Sequence, residues 1–154
     1  MKSFVTLACA LLLTAACQRR TYTPAVDVLS KDGQGLLTIL ATGFGEFQTT
    51  AEKDARQLIL RRLIYDGIPD ESVADARLPL VPNANQLSAA QRKSLDELMA
   101  EPYSERFFTA LSKDPSATGR TSELKKSRSF TVRVNYDLLR RDLESRGIIR
   151  KFGL

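Results

Sequence analysis

The chain has 154 residues, 43% hydrophobic and 27% charged, enough for one domain and too few for two comfortable ones. With no His and only two Cys it lacks the commonest general base, and zinc sites built on Cys and His are excluded. A formal net charge of +5 points the search for partners toward anions.

Lys2 gives a positive start, and Phe4 to Ala16 is a run of thirteen residues without a charge. As a helix that run spans roughly 20 Å, short of the roughly 30 Å hydrocarbon core, so residues 1–16 predict an export signal. The run closes with Leu13-Thr14-Ala15-Ala16-Cys17, which resembles the lipobox of bacterial lipoprotein precursors. That resemblance implies cleavage before Cys17, which is lipidated and becomes the mature N-terminus. Thr14 stands where such precursors usually carry Leu. The alternative is a plain secretory cleavage nearby that leaves Cys17 a free thiol. Cys9 is discarded with the signal, so no pair remains for a disulfide and stability rests on the core.

Residues 17–25 are expected to form the lipidated Cys and a tether. Gln18 to Pro24 is polar and basic without apolar periodicity, and reaches roughly 23 Å when extended. Arg19 and Arg20 either touch anionic headgroups or belong to a solvated linker.

Residues 26–154 are expected to form a single globular α/β domain of the α+β kind, a small antiparallel or mixed sheet packed against two to four helices. Leu36 to Thr42 carries bulk on both faces and predicts a central strand running into Gly43-Phe44-Gly45. The two glycines suggest a turn with positive φ. Thr49 and Glu52 are spaced as a capping box, and Ala51, Ala55, Leu58, Ile59 and Leu63 follow helical spacing until Gly67 and Pro69. Residues 66–86 read as a loop in which Leu78 to Val81 forms an edge strand. Ser88 and Gln91 are a second capping box, opening a helix to about Ala100 with Leu95, Leu98 and Met99 inward.

After Pro102, Tyr103 to Ser112 predicts a short helix anchored by Phe107, Phe108 and Leu111, then a loop over 114–121. Ser127 to Tyr136 alternates as a strand, with Phe130, Val132, Val134 and Tyr136 on one face. A last helix, 136–146, ends at Gly147. The sheet is expected to lie on helices 50–65 and 136–146, with Leu40, Leu58, Ile59, Phe130, Val132 and Leu139 in the core.

Chemistry is sparse. Without His or a free Cys the usual nucleophile–base pairs cannot be assembled, and no cofactor is expected. Asp66, Asp70, Glu71 and Asp75 lack the spacing of a calcium loop and read as solvated turn residues. Gly43 and Gly45 lack both the third glycine of a dinucleotide fingerprint and the Lys of a phosphate loop. Glu46, Asp66 and Glu101 are carboxylates that a fold could bring together for glycoside hydrolysis.

The one-sided charge run is Lys125, Lys126, Arg128 and Arg133. It is a candidate docking surface for an acidic protein, anionic lipid or wall polymer, and the export signal argues against nucleic acid. Such charges also guard edge strands against aggregation.

The segment ATGFGEFQTTAEKDARQLILRRLIYDGIP, through Gly43, Gly45, Ala51, Ala55 and Gly67, resembles small envelope lipoproteins of Bacteroidetes. More distantly it is similar to the N-terminal domain of flagellar assembly protein T and related surface lipoproteins. The closing strand and helix, FTVRVNYDLLRRDLESRGIIRKFG, fit the same plan. The resemblance implies a compact α/β domain that binds or scaffolds, and it carries no catalytic residues. Two function classes follow: a non-catalytic scaffold or adaptor in an envelope assembly, and a wall-polymer-binding protein or hydrolase using carboxylates. By analogy with lipoprotein sorting, Gln18 after the Cys favours the outer membrane. The basic residues that follow favour its periplasm-facing leaflet.

Overall fold

The computed structural model describes residues 26–68, 78–122 and 125–151, with the side chains of 110–126 outside that description. The export signal, Cys17, the tether, Pro69, Asp70, Glu71 and Asp75 lie outside the described residues.

Four strands form one antiparallel sheet in the order β1-β2-β4-β3, where β1 is Val26–Lys31, β2 Leu36–Gly45, β3 Phe108–Ser122 and β4 Lys125–Asn135. Among the described residues three α-helices, α1 Gln48–Arg61, α2 Ala89–Met99 and α3 Tyr136–Ser145, complete the expected α+β fold. β2 is central, as its two-sided bulk implies, and pairs with β4 in unbroken register from Leu36 opposite Asn135 to Gly45 opposite Lys126. Parity then assigns the faces. Leu37, Ile39 and Ala41 of β2, with Phe130, Val132 and Val134 of β4, are fully buried toward α1. Leu40 points to the other face and is half-buried, so it leaves the expected core.

β1 has no counterpart among the sequence expectations. Its hairpin to β2 is built by Asp32, whose Oδ1 accepts the amides of Gln34 and Leu36, each at 2.9 Å. Gly35 turns the chain with a φ of 74°.

Gly43 and Gly45 are strand residues without positive φ, which corrects the expected turn. Their reason is proximity. A Cβ on Gly43 would collide with the Ala51 carbonyl and stand 2.8 Å from the Ala55 nitrogen; one on Gly45 would stand 2.5 Å from the Ala51 nitrogen. Glycine on the strand facing alanine on the helix lets the two backbones touch.

α1 starts earlier than expected. Its N-cap is Phe47, and Thr50 Oγ1 accepts the Phe47 amide at 3.1 Å while donating to the Phe47 carbonyl at 2.8 Å. Glu52, freed from capping, pairs with Arg56 at 2.6 Å. The buried stripe is Ala51, Ala55, Ile59 and Leu60, continued by Leu63 and Ile64; Leu58 lies half-buried on its flank, a second correction to the core.

The helix widens into a π turn over Arg62–Asp66 and stops at Gly67, whose amide reaches the Arg62 carbonyl at 2.7 Å. The Leu78–Val81 segment is not an edge strand. Its Leu80 and Val81 amides instead satisfy the carbonyls of Leu63 and Ile64, at 3.0 and 2.8 Å, where the helix end leaves them open.

α2 begins as expected, with Ser88 and Gln91 exchanging backbone bonds at 2.9 and 3.2 Å. The expected helix 103–112 is a 3-10 turn, Tyr103–Phe107, followed directly by β3. The expected loop 114–121 likewise lies within β3. The side of β4 away from β2 offers a full row of backbone partners, and pairing there overrides local propensity. Pro115 falls in a register shift between Lys113 and Thr118, on an edge strand where a missing N–H is tolerated. Asn135 caps α3 by accepting the Leu138 amide at 2.9 Å, and Leu139 and Leu143 face the core.

Candidate functional site

The four basic positions all belong to β4, but the strand divides them. Arg128 sits opposite Gly43 and shares parity with Phe130 and Val132, which puts it on the helix side, half-buried. Arg133 shares parity with Ser129 and Thr131 and is exposed on the opposite side. An odd separation along a regular strand makes this unavoidable. Arg128 and Arg133 therefore do not form one patch. Lys125 and Lys126 have their backbones in β4, with side chains outside the described residues. β4 is also an interior strand, between β2 and β3, so its charges are not guarding a sheet edge.

Arg128 is incompletely bonded. Its Nη1 and the Nε of Arg56 are buried without a hydrogen-bond partner among the described residues. The Arg56 guanidinium lies 5.5 Å from the Phe108 ring centroid while holding Glu52, so its charge is shared between a carboxylate and an aromatic face. On the far face of the sheet, Thr42 and Ser129 pair their hydroxyls at 3.0 Å in a buried contact.

The carboxylates that hydrolysis would need are separately engaged. Asp66 lies 3.4 Å from Arg62, and Glu101 meets Lys53 at 2.6 Å, the contact that raises the Lys53 pKa. Glu46 is exposed at the end of β2. Among the described residues no three Cys, Asp or Glu side chains gather where they could hold a metal ion, and no helix is long and apolar enough to cross a membrane.

A further concavity lies elsewhere, and sequence reasoning did not identify it. A groove of about 720 Å³ runs between the Leu78–Leu87 segment and the end of α3 with the residues after it. Leu80, Val81, Leu87, Ile148 and Ile149 give it an apolar lining, and Arg140, Arg150 and Lys151 supply its charges. Gln91 ties its walls together, accepting the Ser88 amide at one end and donating to the Gly147 carbonyl at 2.6 Å. The signals available in sequence were two prolines around Leu80-Val81 and the doublet Ile148-Ile149 before Arg150-Lys151. Neither states that 78–87 and 148–151 meet.

Behind the groove, Tyr103 locks α3 in place. Its hydroxyl donates to Asp142 at 2.8 Å and accepts from Arg106 at 2.8 Å, with Arg146 4.8 Å from its ring centroid. Arg146 in turn reaches the Ser94 carbonyl and hydroxyl on α2 at 3.3 and 3.1 Å.

No protein family, curated protein or solved structure matches the chain.

Proposed function

We propose that the protein is a lipid-anchored envelope domain that works by binding, a non-catalytic scaffold or adaptor held through Cys17 on the periplasm-facing side of the bacterial outer membrane. The observation that carries this reading is Leu13-Thr14-Ala15-Ala16-Cys17 closing a short apolar leader, with the first strand beginning soon after at Val26. A tether of that length reaches roughly 30 Å at full extension and keeps the domain beside the membrane. Gln18 supports the outer membrane, and Arg19 and Arg20 support contact with anionic headgroups.

The resemblance to envelope lipoproteins supports the same reading through Gly43, Gly45, Ala51 and Ala55, whose role here is backbone packing and not chemistry. The hydrolase alternative gains no support from Asp66 and Glu101, each of which is spent on a cation of its own.

Membrane fractionation of the wild type and the Cys17→Ser variant, with labelled fatty acid, tests the anchor. The wild type is expected to sediment with membranes and carry label, and the variant to do neither. A variant that sediments and is labelled like the wild type contradicts the reading. For docking, the exposed Arg133 is the described cation to change first. Folded Arg133→Glu should lose an acidic partner recovered by crosslinking in envelopes at low salt, because such attraction is screened as salt rises.

A further inference from the structure

We propose that the groove between Leu78–Leu87 and the residues closing α3 binds a monoacyl amphiphile with an anionic head. Its volume of about 720 Å³ falls in the range of small-ligand sites, about 300–1,000 Å³. Leu78 is 72% exposed at its mouth, apolar surface that a ligand chain would cover. Among the described residues the lining contains Arg140, Arg150 and Lys151 and no Asp or Glu, so it complements an anion. Arg140 shares its guanidinium with Glu144 at 3.2 Å, while Arg150 and Lys151 are exposed.

The backbone distinguishes an acyl chain from a peptide. Pro79 and Pro82 have no N–H to offer. The amides of Leu80, Val81, Gln86 and Leu87 donate to Leu63, Ile64, Asn83 and Ala84. Across the groove, the amides of Ile148 and Ile149 both donate to Leu143. Both functional ends of the Gln91 amide are engaged as well. An extended peptide laid here would find these backbone amides already engaged, and desolvated carbonyls without donors are costly. An acyl chain has no polar group along its length and needs only a charge partner for its head. Arg150 and Lys151 provide that partner.

Amphiphile binding goes beyond the anchoring reading and does not depend on it, since every lining residue lies at or after Leu78. The test uses the full-length protein in neutral detergent with palmitate bearing a photoreactive diazirine on its chain, followed by peptide mapping. Label is expected on 78–87 and 148–151. Excess palmitate or monoacyl phosphatidylglycerol should reduce labelling about fivefold or more, the stronger competitor identifying a carboxylate or phosphate head. Uncharged hexadecanol should not. The exposed pair Arg150→Glu with Lys151→Glu should cut labelling about fivefold while leaving thermal unfolding unchanged. Label spread over the whole surface, hexadecanol competing as well as palmitate, or a folded double variant labelled like the wild type would overturn the proposal.

Discussion

At Gly43 the strand has no room for even one methyl group, because the Ala51 carbonyl of α1 already occupies the place of a Cβ. Relieving that clash requires α1 to move off the sheet. Gly43→Ala is therefore expected to destabilise the fold by about 1–3 kcal/mol in urea unfolding. Gly33→Ala, in the β1–β2 hairpin with nothing within 4 Å of the added carbon, should change stability by about 0.5 kcal/mol or less. Equal effects at the two positions would show that α1 does not depend on close approach.

Tyr65 offers a second test at this scale. Burial first, and then the charge of Asp96, raise its phenol above the ordinary 10.0. The fold favours the neutral phenol. Its contribution to stability is thus fully present below pH 10 and lost as pH rises through the higher folded pKa. The ultraviolet titration difference between wild type and Tyr65→Phe should have its midpoint above 10; a midpoint at or below that value contradicts the assignment.

Among the elements, α2 shows what local chemistry can specify. Ser88 and Gln91 satisfy each other's backbone amides, and Ser88→Ala should cost about 1 kcal/mol, read as a shift in the urea midpoint at constant slope. In α1 the helical spacing was legible but not which neighbour of the stripe faces inward. Ile59, fully buried, should cost about 2–5 kcal/mol on truncation to Ala, while half-buried Leu58 should cost distinctly less. The reverse order would mean the helix is rotated about its axis.

β3 was illegible for a physical reason. The stretch 108–122 contains Pro115, Gly119 and many small polar residues, a poor strand by propensity, and it pairs because β4 presents an edge to it. Leu78–Val81 fails as a strand for the opposite reason, its amides being drawn to the open carbonyls of the π turn. The basic run on β4 was legible as charge, yet only the register with β2 reveals that Arg128 and Arg133 face opposite ways. The groove was hidden more deeply, because its walls come from separated segments and its character depends on which amides are already spent.

For the whole molecule, one sheet, a close-packed α1 and the Tyr103–Asp142–Arg146 lock position α3 beside the groove. β1, the first described element, lies on the sheet edge away from β3. In the proposed reading, a membrane address at Cys17 is joined to a domain that works by binding. The proposed function stands or falls on that address, since an acidic envelope partner and anionic headgroups both presuppose an envelope setting. Mass spectrometry of the N-terminal tryptic peptide from membrane-extracted protein reads it without an intermediary. The expected peptide is Cys17-Gln18-Arg19 with Cys17 at the N-terminus and a diacylglycerol thioether on its sulfur. A peptide extending upstream of Cys17, or Cys17 carrying an unmodified thiol, would contradict the proposed anchor.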